Sequence, residues 1–244
     1  MQNVPQNRPI LQQPRQAQAI RPPAPRDTPG ALAPSNNRKR KNNRRTQPGG
    51  RIMNTIPVLY TAKKSIYHQL LDADPYDQKR DALKWPGGTP FIAHPPCRLW
   101  CKLRRFSTAD PAERYLALIT VCQIRRYGGI LEHPAHSLLW ESAQLPPPGG
   151  FPDEYGGITI ALNQCKAGHA AVKPTWLYIV GADRIPPLPT PNNKPTHTLS
   201  WGPKKNGRTR QRPLLATNKR SATPEPFARW LIALAHHITE NKRN

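Results

Sequence analysis

The chain has 244 residues, with 37 Lys and Arg against 14 Asp and Glu and a formal net charge of +23, so it holds one large domain or two small ones and its charge favours a polyanionic partner. Its 31 prolines stand far above the usual level of about 5%, and with 36% hydrophobic residues part of it is expected not to fold. No apolar run approaches the roughly 18 residues of a membrane span and no hydrophobic stretch opens the chain, which excludes a membrane partner at this level and predicts a cytoplasmic protein.

Residues 1–52 carry 9 Pro, 11 Lys or Arg and one acid, Asp27, with no aromatic residue and no Cys. Such a segment has too little to bury to offset its ordering entropy, so it is expected to be a disordered basic tail. Gly49-Gly50-Arg51-Ile52-Met53 is also what a purine-rich ribosome-binding site before a start codon encodes, which predicts translation from Met53 and leaves the tail unmade. The remainder still carries +13, so the tail does not account for the charge. The expected organisation is 53–182 as one α/β domain, 183–222 as a basic loop, and 223–244 as an amphipathic helix packed on the domain.

Between Met53 and Cys97 no glycine-rich phosphate or cofactor loop is present; Asp72, Asp74, Asp77 and Asp81 form an acidic set that could hold a ribose or adenine, or balance Lys79 and Arg80. Thr89-Pro90-Phe91-Ile92-Ala93 follows Pro-Gly-Gly and ends in His94-Pro95-Pro96, the pattern of a short buried strand entering a rigid turn. A helix follows, with Asp110 as N-cap, Pro111 in the first turn, Glu113 completing the box, and Tyr115, Ile119 and Cys122 on one face. Gly128-Gly129 ends it. Ile130-Leu131 then forms a second strand stopping at Glu132-His133-Pro134, and strand, helix, strand in about 45 residues is a βαβ unit with parallel strands.

Two further strand candidates, 157–162 and 175–180, extend the sheet. Residues 183–222 lack periodicity. Thr223 and Pro224 open a last helix whose Phe227, Trp230, Leu231, Leu234, Ala235 and Ile238 make one apolar stripe.

In a parallel sheet chemistry gathers at the carboxyl ends of the strands, which puts His94 to Cys97 beside Glu132 and His133. A cysteine after two prolines sits in a stiff exposed turn, and Arg98, Lys102, Arg104 and Arg105 supply cations that would favour its thiolate, the attacking form. A tight turn with a small apolar residue is the plain alternative. Glu132, a carboxylate on an apolar strand, suits a proton donor or an acceptor for a heterocycle, or else a salt bridge.

Phe91-Ile92-Ala93-His94-Pro95-Pro96-Cys97 resembles the Pro-Pro-Cys segment of DNA (cytosine-5) methyltransferases, and Leu131-Glu132-His133-Pro134 resembles their Glu-Asn-Val segment one helix later. Residues 168–181, Gly168 to Gly181, are similar to their Gln-x-Arg-x-Arg segment and the strand after it. Order and spacing agree over residues 89–181, about two fifths of the chain. The resemblance implies a Rossmann-like methyltransferase-type sheet, truncated in its N-terminal part, in a small prokaryotic or mobile-element enzyme. It also implies that Cys97 adds to carbon 6 of a pyrimidine, that Glu132 protonates or holds the ring nitrogen, and that S-adenosylmethionine is the methyl donor. His94, Pro96, Arg98, His133, His169 and Lys173 would then line the substrate and Asp81 would touch the cofactor. The partner would be nucleic acid, DNA in the first instance, held by Lys102, Arg104, Arg105, Lys204, Lys205, Arg208, Arg210 and Arg212, and a duplex base would be flipped out to reach Cys97.

Two other classes remain open. Cys97/Cys101, His133/His136 and Cys165/His169 could ligate zinc, although none has Cys-x-x-Cys spacing. Alternatively, cations interleaved with Trp85, Trp100, Phe106, Trp176 and Trp201 could bind nucleic acid without catalysis.

Overall fold

The computed structural model describes residues 55–102, 104–189, 194–199 and 212–243. The expected tail, the Met53 start, and the cations Lys204, Lys205, Arg208 and Arg210 lie outside the described residues, as does Trp201.

The strands are β1 (Ile56–Thr61), β2 (Ala73–Asp77), β3 (Phe91–Ala93), β4 (Gly129–Pro134), β5 (Ile158–Asn163) and β6 (Pro174–Val180). They form one sheet in the order β2-β1-β3-β4-β6-β5. The first four are parallel, whereas β6 runs antiparallel to both β4 and β5. The expected β3, helix, β4 unit is present, with Phe91 to Ala93 in register with Gly129 to Leu131.

Residues 55–88, in which the sequence pattern offered no element, supply β1 and β2 on the far side of β3. Pro57 interrupts an otherwise apolar run, yet it lies outside the Val58–Leu59 segment that pairs with β3, so no bond of that ladder is lost. β2, Ala-Asp-Pro-Tyr-Asp, is an edge strand, where Pro75 is tolerated.

Alternation along the strands sorts the core onto two faces. Ile92 and Ile130 pack with Phe227, Leu231 and Leu234 of a long helix, α4 (Glu225–Asn241). Phe91, Ala93 and Leu131 pack with Ala117, Val121 and Ile124 of α1 (Glu113–Tyr127). The result is three layers, helix, sheet, helix, as expected for an α/β domain. Two short helices, α2 (Leu139–Ser142) and α3 (Thr217–Arg220), complete the set of α-helices among the described residues.

Three local expectations are corrected. The buried face of α1 is Ala117, Thr120, Val121 and Ile124, while Tyr115 (65% exposed), Ile119 (39%) and Cys122 face solvent. Apolar residues ring this helix, so hydrophobicity alone does not choose the face, and the sheet does. The N-cap of α1 is Ala112 without a side-chain bond, not Asp110, which caps the turn before it by accepting the Ala112 amide at 2.9 Å. At the start of α4 Pro224, not Thr223, is the capping residue, and no side chain caps that end.

Gly129 is required where β4 meets β3. Its φ is +127°, and a Cβ there would lie 2.2 Å from the Phe91 carbonyl oxygen. No helix among the described residues is long and apolar enough to cross a membrane.

Candidate functional site

The strand order reverses between β1 and β3, the switch point at which open α/β sheets place their ligands. The His94 amide donates to the Leu59 carbonyl across that point at 3.1 Å, so the turn after β3 begins against β1. Two prolines stiffen it. Trp100 then anchors it: the ring is fully buried, its carbonyl accepts the Leu138 amide at 3.0 Å, and the Arg114 guanidinium covers its face.

Glu132 is the centre of a buried polar array. Its Oε2 lies 2.9 Å from His94 Nδ1, and its Oε1 accepts from Gln164 Nε2 at 2.8 Å. The far nitrogen of His94, Nε2, is 3.1 Å from the hydroxyl of Tyr67, and Gln164 Nε2 also donates to Thr175 Oγ1 at 3.0 Å. A carboxylate only accepts, so His94 Nδ1 carries a proton, and in the neutral ring the Tyr67 O–H donates to Nε2. Burial by itself would push the Glu132 carboxyl up. The charge of Lys173, the hydrogen bond and charge of His94, and the charge of His133 outweigh it and hold the pKa at about 2. Glu132 is therefore an ionised acceptor and not the proton donor that was one of its two expected roles.

Cys97, three residues after His94, is half-buried. Burial, then the Glu132 charge and Cys101, raise its thiol pKa, while a backbone hydrogen bond and Lys173 lower it. The expected activation by neighbouring arginines is not what the structure contains. Arg98 turns away and grips Glu113 at the start of α1 through two bonds, 2.9 and 3.0 Å long. Lys102, Arg104 and Arg105 point to solvent, Arg105 stacking on the exposed Phe106. The Lys173 charge lowers both the Cys97 and the Glu132 pKa, while its Nζ donates to the Ser221 and Ala222 carbonyls at 3.4 and 3.5 Å.

The remaining expected site residues divide. His133 follows Glu132 on a strand, so it faces the opposite side of the sheet. It is buried there with Nδ1 2.8 Å from Ser137 Oγ and its ring against the Pro96 backbone, and burial holds its pKa down at about 4. It braces the Pro-Pro-Cys turn from behind, on the face opposite Glu132, a correction to its expected place beside that residue. Pro96 is half-buried in that turn. His169 is buried in the connection from β5 to β6, with Nδ1 against the Ala171 backbone and Nε2 without a partner among the described residues. Arg212 is exposed.

Asp81, expected to touch a cofactor, caps its own short turn, accepting the Leu83 amide at 3.1 Å. Trp85 and Trp100 are core residues, unavailable for stacking on bases. No three His, Cys, Asp or Glu side chains come together to hold a metal among the described residues, which leaves the zinc alternative without a ligand set.

Comparison with protein-family models, with curated proteins and with solved structures finds no match to this chain.

Tyr67, Gln164 and Thr175, which complete the array, carry no motif of their own. The one signal for Gln164 is its place as the first polar residue past a strand end. The adenosyl cofactor that the resemblance implies is poorly served by the residues present. β1 leads into a tight turn and a single 3-10 turn, Ile66–Gln69, instead of a glycine loop and helix. Asp77, opposite Thr61 in register, is a carboxylate of the right kind for a ribose, but its Oδ1 accepts the Lys79 and Arg80 amides. The residues do not fit that cofactor.

Proposed function

We propose that the domain acts on a pyrimidine base of nucleic acid, in the manner of the (cytosine-5) methyltransferases its sequence resembles, with Cys97 as nucleophile and Glu132 as the acceptor that fixes the ring. One observation carries the reading: the turn after β3 that leads to Cys97 meets the end of its parallel neighbour β4 through the His94–Glu132 contact of 2.9 Å. The order of the strands around the switch point, with β6 reversed beside β4, supports a Rossmann-like sheet of that general type.

An ionised carboxylate accepts from a ring N–H or exocyclic amine, which orients the ring. The sulfur of Cys97 bonds to carbon 6, the π pair of the C5–C6 bond moves to carbon 5, and carbon 5 takes up the thiol proton. The addition is thus complete without a further reactant. No step through a methyl donor is derived.

A 5-azacytosine ring takes the same addition more readily, because N5 makes carbon 6 more electrophilic and receives the electron pair and the proton. A random-sequence oligonucleotide pool carrying this base should yield a protein adduct by mass spectrometry, mapped to Cys97 and absent in Cys97→Ser. A pool that binds without any adduct would instead favour a second reading, a non-catalytic nucleic-acid-binding protein. Two observations favour that second reading: the raised Cys97 thiol pKa, and the unsuitability of the residues after β1 for a methyl donor.

A further inference from the structure

The turn that follows β1 is an unassigned element of the same crevice. Thr61 ends the strand, the Ser65 amide donates to the Ala62 carbonyl at 2.9 Å, and Lys63 and Lys64 are the two central residues of the tight turn so closed. Both are exposed. The turn is bracketed by the site on either side: before it, β1 pairs with β3 and receives the His94 amide, and after it Tyr67 reaches back to His94 Nε2.

The nearby carboxylates are already engaged. Asp77 accepts two backbone amides, Asp74 is paired with Arg80, and Asp81 caps its own turn. Thr61, buried to more than nine tenths, has a hydroxyl with no hydrogen-bond partner among the described residues. Two exposed ammonium groups at a switch point repel a sulfonium and attract a phosphate.

We propose that Lys63 and Lys64 hold the phosphodiester backbone of the nucleic-acid strand whose base enters the Cys97–Glu132 cleft, so that the carboxyl end of β1 belongs to the substrate and not to a cationic cofactor. The assignment rests on the reading that nucleic acid is the substrate. With Lys173 across the mouth, the three lysines bracket the cleft, one pair before His94 and one residue beyond Glu132.

The test uses the full chain and a random-sequence oligonucleotide, with affinity measured by fluorescence anisotropy from 50 to 300 mM salt, about a sixfold range over which counterion release is readily seen. Removing two phosphate contacts lowers the slope of log affinity against log salt by about 1.4 for a single strand or about 1.8 for a duplex. That is the result expected of the double variant Lys63→Gln, Lys64→Gln. Arg126→Gln, at the far end of α1, should keep the full slope, and circular dichroism confirms that each variant is folded.

A double variant with the slope of the unaltered chain overturns this assignment while leaving the proposed function standing. An unaltered chain that binds no oligonucleotide overturns both. Saturable one-to-one uptake of S-adenosylmethionine in equilibrium dialysis, with or without oligonucleotide, also overturns the assignment.

Discussion

Glu132→Gln should flatten the acid limb of the domain's stability curve. The carboxyl stands at about 2 in the fold against an ordinary 4.5, and at ~1.4 kcal/mol per pH unit the ionised form contributes about 3 kcal/mol. Because the folded pKa lies below the unfolded one, that contribution is complete above pH 4.5 and is lost as the pH falls toward 2. Gln keeps the shape and both contacts, its carbonyl accepting from Gln164 and its amide nitrogen donating to His94 in the other tautomer, so the variant folds.

His133 opens a separate window. Its folded value of about 4 lies below the ordinary 6.5, so the unfolded chain takes the proton first and stability falls between those two pH values, again by about 3 kcal/mol. Urea unfolding followed by tryptophan fluorescence from pH 7.5 to pH 3 separates the two, on a scale where changes of about 1 kcal/mol move the midpoint clearly. The gap between the unaltered chain and Glu132→Gln should close below pH 4.5, and His133→Asn should lose less than the unaltered chain between pH 6.5 and pH 4. Parallel curves for all three proteins would refute the buried ionised carboxylate and the buried neutral imidazole together.

Other expected outcomes follow from the packing. Gly129→Ala should prevent folding to a soluble domain, because the added methyl meets the Phe91 backbone and not a side chain that could move; recovery of a cooperative thermal transition would contradict it. Ile124→Ala, on the sheet side of α1, should cost about 2–5 kcal/mol by urea unfolding, whereas Ile119→Gln, on the solvent side, should stay within about 0.5 kcal/mol. The reverse order would restore the face that hydrophobicity suggested. Arg98→Gln should leave the alkylation rate of Cys97 unchanged, since Arg98 is spent on Glu113, and should cost no more than about 1 kcal/mol.

The β3, α1, β4 unit was legible because its punctuation is strong. Pro-Gly-Gly precedes β3, His-Pro-Pro ends it, Asp110-Pro111 opens the helical stretch, and Gly-Gly terminates it. The meeting of His94 with Glu132 followed from that unit alone, since parallel neighbours bring their carboxyl ends together. The antiparallel turn of β6 against β5 was less visible, although a connection of ten residues is short for the crossover that parallel strands need. β1 and β2 were masked by Pro57 and Pro75, whose tolerance depends on which edges are paired. The roles of Tyr67, Gln164 and Arg98 were not legible, because each depends on a partner 15 or more positions away. His133 was misread for a simpler reason: neighbouring residues of a strand face opposite sides, and the alternation could have separated it from Glu132.

The convergence of Cys97, Glu132 and Lys173 is best tested by the thiol's own titration. With the other three cysteines replaced by Ser or Ala, the rate of iodoacetamide alkylation of Cys97 is followed against pH in the parent, Glu132→Gln and Lys173→Gln proteins. Removing the Glu132 charge should move the rate profile to lower pH, and removing Lys173 should move it to higher pH. Profiles that coincide in all three would mean that the sulfur senses neither charge, and that no common cleft joins them.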